Sequence, residues 1–246
     1  MNTPPHPLPD ISARLAAAAR SSECRIERVE VGGQIYWIKR VEQLSGLMRW
    51  QKGDPARALE RERNALRALA GCGLPVPVLA AEGPDFIATA DSGQSLDRMF
   101  ADPAVPPMMR RDAFAAAGAA LAAFHRAGHV HGRPSPRDFC WRDGQITLID
   151  LERCAPNSGS RRRLRNDAVI LVFNLYALCR GETAEVSAAI DAYRAGAPDG
   201  LWQAAARLCR RLRWIDPLTR PLQRRKTRHG EFQAIPLTLA RFAAPD

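Results

Sequence analysis

Apolar and polar residues alternate on both sides of a Gly-Gly pair near the beginning of the chain, in RIERVEV-GG-QIYWIKR, residues 25–40. A period of two predicts β-strands, and a Gly-Gly dipeptide between two strands favours a tight hairpin turn. The polar segment that follows, residues 41–55, shows neither period, so we assign no regular element to it.

The period then changes to three and four residues. Leu59, Leu66 and Leu69 fall on one stripe, which predicts a helix over residues 55–70 that Gly71 closes. Two short apolar runs, LPVPVLAAEG and DFIATA, predict strands. The first run contains two prolines, which cannot donate a backbone hydrogen bond, and we therefore expect it at the edge of a sheet.

Helical spacing dominates the remainder of the chain. Phe114, Leu121 and Phe124 share one face of a helix predicted over residues 110–127. FCWRDGQITLIDLE then predicts a second hairpin around an Asp-Gly turn.

A run of buried-type residues after the second hairpin predicts another helix. Asn166 or Asp167 is expected to cap this helix, which ends near Arg180. Two further helices, near residues 183–195 and 200–213, precede a basic tail that we expect to be irregular.

This order of elements predicts an α+β fold with two lobes. We expect a leader over residues 1–24, a lobe of strands and one helix over 25–91, and a mainly helical lobe over 92–246. The 246 residues are 46% apolar and 25% charged, as in a globular protein with its own core.

Several patterns bear on where the protein works. No apolar run approaches the roughly 18–20 residues that span a bilayer, and the first residues do not form a secretory signal. The six cysteines are scattered, so we expect reduced thiols rather than a zinc site or disulfides. We therefore expect a cytoplasmic protein, and we leave open a peripheral position at the inner membrane.

The net charge of +10 is concentrated towards the end of the chain, where Arg207 to Arg228 contains nine basic residues against Asp216. Such a segment would attract an anionic acceptor or a membrane surface. A solvated basic face is an equally good interpretation. Nucleic acid is a less favoured partner, because no RNA-binding motif accompanies the charge.

Three charged residues lie where the pattern calls for apolar ones. Lys39 continues the strand face of Ile35 and Trp37, and Glu62 lies within the apolar helix stripe. Asp150 follows the strand residues of the second hairpin. Because burying an unpaired charge is costly, we expect Lys39 to pair with Glu62 and Asp150 to face a metal ion. Taken singly, each residue also has an interpretation without a function: Lys39 could extend to solvent, Glu62 could lie at the rim of the stripe, and Asp150 could begin a turn.

The segment HGRPSPRDF, residues 131–139, is too rich in proline for a helix interior or a central strand, so it must be a loop. Strand lysine, helix glutamate, this loop and a strand-end aspartate, in that order, resemble the protein-kinase-like fold. The loop is similar in length to kinase catalytic loops such as HRDLKPEN and HGDLHPGN. The chain most resembles the small bacterial kinases of lipopolysaccharide core sugars (Kdo or heptose) and the related RIO-type kinases, over about residues 25–180.

The resemblance implies a role for each residue that matches it. Lys39 would hold the phosphates of ATP and Glu62 would orient Lys39. Asp150 would bind Mg²⁺, and Asp138, in place of the usual asparagine, would be a second metal ligand. Two residues would be structural supports: His131 would bond backbone near the metal-binding strand, and Asp167 would hold the loop from below.

Two departures from the family pattern matter for function. Arg133 occupies the position of the catalytic aspartate, and arginine cannot take up a proton at neutral pH. The glycine-rich phosphate loop is reduced to Gly32 and Gly33. The resemblance therefore implies an ATP- and Mg²⁺-dependent kinase acting on a sugar or protein serine hydroxyl, with Asp138 and Arg133 as its catalytic residues. A nucleotide-binding pseudokinase or scaffold is the alternative.

Overall fold

The computed structural model describes residues 11–42, 54–224 and 230–244. The chain divides into two compact units, one formed by Met1–Ala70 with Val76–Asp91 and the other by Gly71–Pro75 with Ser92–Asp246. We call them the first and second unit and describe each separately.

A four-stranded antiparallel sheet is the centre of the first unit. Its strands are β1 (Ile26–Val31), β2 (Gln34–Arg40), β3 (Leu79–Glu82) and β4 (Phe86–Ala90), in the order β1-β2-β4-β3. The predicted hairpin and the edge position of β3 are both confirmed. Gly32 and Gly33 have φ of 62° and 75°, which is the left-handed backbone that a two-residue hairpin turn requires.

The helix α1 (Ile11–Arg20) lies within residues 1–24, for which a leader was predicted. Leu15 belongs to a core cluster with Tyr36 and Ile38, so α1 covers one face of the sheet. Arg40 is buried and donates to the carbonyl oxygens of Ala18 and Ala19 at 3.0 and 2.8 Å. These carbonyls lie in the last turn of α1, where Ala18 also accepts from Ser21, so Arg40 contributes to the cap of this helix.

The helix α2 (Pro55–Leu69) is the predicted amphipathic helix of the first unit. Asp54 accepts a hydrogen bond from the Ala56 amide and so caps its beginning, and the leucine stripe is buried. Most of the polar segment predicted before this helix lies outside the described residues.

The second unit combines a small antiparallel sheet with helices. The sheet has the order β5-β6-β7, formed by β5 (Gln94–Ser95), β6 (Phe139–Arg142) and β7 (Gln145–Leu148). Asp143 and Gly144 between β6 and β7 have φ of 48° and 81°, which confirms the Asp-Gly hairpin turn. The short helix α3 (Leu96–Ala101) follows β5 directly.

Two long helices form the core of the second unit. They are α4 (Pro107–Arg126), which confirms the helix predicted over 110–127, and α5 (Arg161–Cys179). The prediction that Asn166 or Asp167 caps α5 is wrong, because α5 begins at Arg161 and both residues lie inside it. The residues RRRLRN are good or neutral helix formers, so the helix begins at Arg161, ahead of both predicted caps.

The remaining helices are α6 (Ala184–Gly196), α7 (Leu201–Arg211), α8 (Ile215–Gln223) and α9 (Glu231–Ala243). The first two were predicted. The expectation of an irregular basic tail is wrong for α8, and residues 225–229 lie outside the described part. A helix long and apolar enough to cross a membrane is not found among the described residues.

Candidate active site

Lys39 and Glu62 form an ion pair in the first unit, with 2.5 Å between Lys39 Nζ and Glu62 Oε2. The side chains are 19% and 9% exposed, so both charges are largely withdrawn from water. Lys39 lies on the strand face of Ile35 and Trp37, opposite the more deeply buried face of Ile38. Since Glu62 lies in the buried stripe of α2, the pair fixes an ammonium group at a defined position beside the sheet.

The glycine pair of the β1–β2 hairpin is exposed, and a Cβ at Gly32 or Gly33 would meet no atom within 4 Å. Their positive φ explains these glycines without reference to a ligand. Their assignment to nucleotide binding therefore stays a prediction.

The loop that begins at His131 is anchored in the second unit by Asp167. The Asp167 carboxylate accepts hydrogen bonds from the backbone amides of His131 at 2.8 Å and of Gly132 at 3.0 Å. Asp167 is 1% exposed and also lies 3.4 Å from His125 Nε2. The Asp167 side chain on α5 thus provides the hydrogen-bond acceptor for two backbone amides of the loop. These bonds hold the start of the loop in one conformation.

Two further hydrogen bonds hold the same loop. His131 Nε2 lies 3.1 Å from the carbonyl oxygen of Ile149, next to Asp150. Burial lowers the pKa of His131, so the ring is neutral and its Nε2–H donates this bond. Asn174, two turns after Asp167 on α5, donates to the Pro134 carbonyl at 2.8 Å. Backbone and side chains therefore hold the loop from His131 to Pro134 on both sides.

Asp138 ends the loop in a short 3-10 turn, Pro136–Asp138, directly before β6. Its carbonyl oxygen accepts a hydrogen bond from the Ile149 amide at 2.8 Å, which brings Asp138 and Asp150 to the same end of the small sheet. Burial, and secondarily the negative charge of Asp150, raises the pKa of Asp138 to about 7.

Asp150 is exposed and has φ 59° and ψ 53°, in the left-handed region. Only a few per cent of non-glycine residues take this conformation, and such positions are concentrated at functional sites. Strand β7 ends at Leu148, so Asp150 does not continue the strand face that the sequence predicted. The hydrogen bonds at Ile149 nevertheless place it beside the loop.

Arg133 and Arg137 project from the loop into solvent, and neither has a hydrogen bond or ion pair to any described residue. Both guanidinium charges lower the pKa of Asp138, against the effects of burial and of Asp150. Both arginines line a cavity of about 110 Å³ together with Asp138 and Asp150. Cationic and anionic side chains therefore surround one small polar space within the second unit.

The two carboxylates fit the chemistry of Mg²⁺. This ion prefers carboxylate oxygens, and it is commonly held by one or two of them while water and substrate phosphates complete its shell. Within the described ranges there is no group of three or more histidine, cysteine, aspartate or glutamate side chains placed for a metal ion.

The model of the lipopolysaccharide kinase (Kdo/WaaP) family matches residues 19–193 of this chain. The chain belongs to this family. The match includes the Lys39–Glu62 pair, the loop, both aspartates and Asp167.

Two other proteins are similar to this chain. A protein of Haemophilus influenzae described as uncharacterized is 29% identical over 160 residues, which are 64% of this chain and 64% of that protein. A solved co-crystal structure of WbdD with the kinase inhibitor LY294002 has a TM-score of 0.47 and 16% identity. It covers 74% of this chain and 46% of WbdD.

Six residues that line the cavity were not among the predicted site residues: Ser135, Arg137, Glu152, Arg153, Asn174 and Glu231. Glu152 follows Asp150 by two residues, and Asn174 repeats the helix face of Asp167 after seven residues, so a local signal existed for both. Glu231 begins α9 and lies outside the residues matched to the family. No spacing in the sequence connects it to the loop.

Proposed function

We propose that this protein is an ATP- and Mg²⁺-dependent phosphotransferase whose acceptor is a hydroxyl group. The acceptor is a sugar of the lipopolysaccharide core, or a protein serine. The observation that carries the proposal is the pair of neighbouring aspartates, Asp138 and Asp150, at the end of a loop held rigidly by Asp167 and His131.

Asp138 and Asp150 would hold Mg²⁺. Bound there, the ion would neutralise the charge of the transferring phosphoryl group. The raised pKa of Asp138 is consistent with this role: burial is its main cause, and the neighbouring negative charge of Asp150, which a bound cation would offset, is the second. Asp167 and His131 would keep the loop at a fixed distance from the phosphates, which is what phosphoryl transfer requires most from a protein.

Arg133 replaces the usual base and would instead stabilise negative charge on the phosphoryl oxygens. Asp138 is the loop residue that remains able to accept the acceptor's proton. Asp138 cannot serve fully as a metal ligand and as the general base at the same time. Glu152 and Glu231 line the same cavity and are the further carboxylates that could take the proton.

In the first unit, Lys39 would bind the α- and β-phosphates of ATP while Glu62 orients its ammonium group. Gly32 and Gly33 would provide a short hairpin beside the nucleotide. The proposal also includes an anionic acceptor or membrane surface for the basic segment that begins at Arg207, and a cytoplasmic or peripheral inner-membrane position.

Arg133 also supports a second proposal, that of a nucleotide-binding pseudokinase or scaffold. A missing general base lowers the rate of a reaction by about 10² to 10⁴. In this alternative the protein binds the nucleotide and turns it over negligibly.

Thermal shift with Mg²⁺ and ATP tests nucleotide binding. We expect the wild-type melting temperature to rise, and the rise to be lost in Lys39→Ala, in Asp150→Ala and after chelation of Mg²⁺. Arg111→Ala, on the exposed side of α4, is the control that should behave as wild type. An equal rise in all variants would contradict the proposed nucleotide and metal residues.

Turnover then separates the enzyme from the scaffold. Formation of ADP and of phosphorylated product is measured over lipopolysaccharide-core precursors and model proteins. Arg133→Asp should impair an enzyme that works through Asp138, whereas it should restore activity to a decayed kinase. Nucleotide binding without turnover on any acceptor would favour the scaffold.

A further inference from the structure

Helix α8 differs from the other described helices of the second unit in that it buries none of its residues. Two large apolar side chains, Trp214 immediately before it and Leu218 within it, are 59% and 67% exposed. Monomeric proteins seldom leave large apolar side chains side by side in water without a partner for them.

The exposed apolar residues share one face. Trp214, Pro217, Leu218 and Pro221 follow one another at the spacing i, i+3, i+4 and i+7, and all four are exposed. We call these four residues the α8 face. The polar side of the helix is satisfied internally, since Gln223 donates to the Asp216 side chain at 3.0 Å. The α8 face therefore remains available to a partner.

Arginines surround the α8 face. All six described arginines between residues 207 and 224 are exposed, and Asp216 is the one acid of that described stretch. We call the six the arginine rim: Arg207, Arg210, Arg211, Arg213, Arg220 and Arg224. Arg220 lies 3.7 Å from Asp216, which leaves the rim with a net charge of about +5 once this single acid is subtracted.

A second exposed apolar patch in the same unit offers a contrast. Met108 and Met109 on α4 are 72% and 46% exposed and border a groove with Trp141. Acids and bases are mixed around that groove, with Asp112 and Asp143 beside Arg142, so its surroundings favour no charge sign. The α8 face together with the arginine rim, unlike this patch, favours a partner that is both apolar and anionic.

From these observations we infer that the α8 face inserts into the interface of an anionic phospholipid bilayer, with the arginine rim on the headgroups. Short amphipathic helices with tryptophan and leucine on one side and basic residues around them lie in this way in membrane interfaces. Tryptophan prefers the headgroup level, and leucine and proline suit the acyl boundary. A soluble polyanion would engage the rim and would leave the α8 face in water. The inference deepens the membrane surface proposed above for the basic segment, and it does not depend on the proposed kinase activity.

Vesicle flotation without nucleotide tests this inference on the full chain. We expect binding to phosphatidylcholine vesicles that contain phosphatidylglycerol, and little binding to phosphatidylcholine alone. Trp214→Ser with Leu218→Ser should weaken binding by at least about tenfold. Arg210→Gln, Arg211→Gln and Arg213→Gln together should weaken it by about a hundredfold, at about fivefold per arginine, and should flatten its salt dependence.

Matched variants control for loss of apolar surface and of charge elsewhere. Met108→Ser with Met109→Ser, and Arg111→Gln, should bind the vesicles as wild type does. All substituted positions are exposed, and circular dichroism and thermal unfolding would verify the fold of each variant. Tryptophan emission should shift to shorter wavelength on anionic vesicles in the wild type, and the shift should be lost with Trp214→Ser.

Four results would overturn the inference. These are no binding of the wild type to anionic vesicles, equal binding to neutral vesicles, binding that the Trp214 and Leu218 changes do not weaken, or self-association of the free protein through these two residues. Preferential binding of heparin or RNA, insensitive to the same two changes, would assign the arginine rim to a soluble polyanion. Because no nucleotide is present, these results do not depend on the proposed kinase function.

Discussion

The two units hold their positive charges in opposite ways. In the first unit Lys39 is paired with Glu62 at 2.5 Å, and both side chains are largely buried. In the second unit Arg133 and Arg137 are exposed and have no hydrogen-bonded or ion-paired partner among the described residues. The acids of that unit are instead placed beside each other, at Asp138 and Asp150.

This difference indicates which charged side chains matter for the stability of the folded state. A paired, buried charge contributes to the folded state, and the loss of its partner is costly. A charge that is exposed and unpaired contributes little to folding. The first unit therefore presents a positioned ammonium group, and the second presents the charges to which the proposed function assigns the cation and the phosphate.

The largest effect is expected from Asp138→Asn. The loss of a carboxylate that binds metal or accepts the proton should lower the rate of ATP turnover by about 10² to 10⁴. Asp143→Asn in the β6–β7 turn is the matched control, because asparagine tolerates the positive φ of that position. If Asp138→Asn leaves turnover intact while Glu231→Gln abolishes it, the base belongs to α9 instead.

A large effect on stability is expected from Asp167→Ala. This change leaves the amides of His131 and Gly132 without their acceptor, and each such loss costs about 1–3 kcal/mol. Denaturant unfolding should therefore show a free energy of unfolding lower by about 2–5 kcal/mol. Asp167→Asn keeps one oxygen acceptor and should cost less. Asp191→Ala removes an exposed ion pair and should cost less than about 1 kcal/mol.

A moderate effect is expected in the first unit. Lys39→Met should lower the free energy of unfolding by about 1–3 kcal/mol, because it leaves the Glu62 carboxylate buried without its ammonium partner. In a double-mutant cycle with Glu62→Gln, the coupling should be about 0.5–3 kcal/mol. A coupling near zero would show that the pair does not act as a unit and would remove the contrast between the two units.

The smallest effect on stability is expected from Arg133→Gln and Arg137→Gln. Exposed side chains without partners contribute little, so the free energy of unfolding should change by less than about 0.5 kcal/mol in each variant. Denaturant unfolding of these two variants and of Lys39→Met under the same conditions would compare their free energies of unfolding directly. A loss as large as that of Lys39→Met would mean that these arginines serve the fold rather than a ligand.

The elements that could be predicted from the sequence are those that the local spacing of apolar residues determines. The β1–β2 hairpin, the α2 stripe with Glu62 inside it and the Asp-Gly hairpin all follow from spacings of two, three or four residues. The pairing of Lys39 with Glu62 also followed, because two charges on apolar faces require partners.

What could not be predicted depends on contacts distant in sequence. The local pattern offered Asp167 only as a helix cap; its place below the loop came from the family resemblance, and its partners are amides 35 and 36 residues earlier in the chain. Glu231 reaches the cavity only through the packing of α9. Helix α8 was not predicted; it contains Pro217 in its first turn, where the missing N–H is harmless, and Pro221 further along.

The contact between Arg40 and the end of α1 has a practical consequence for anyone who shortens this chain. A version trimmed to start at residue 25, where the sheet begins, would strip the guanidinium of its acceptors Ala18, Ala19 and Cys24. It would also uncover the sheet surface beneath Leu15. Since Arg40 adjoins Lys39 on β2, such trimming would disturb the neighbour of the proposed phosphate ligand, and a boundary before residue 11 is the safer choice for expression.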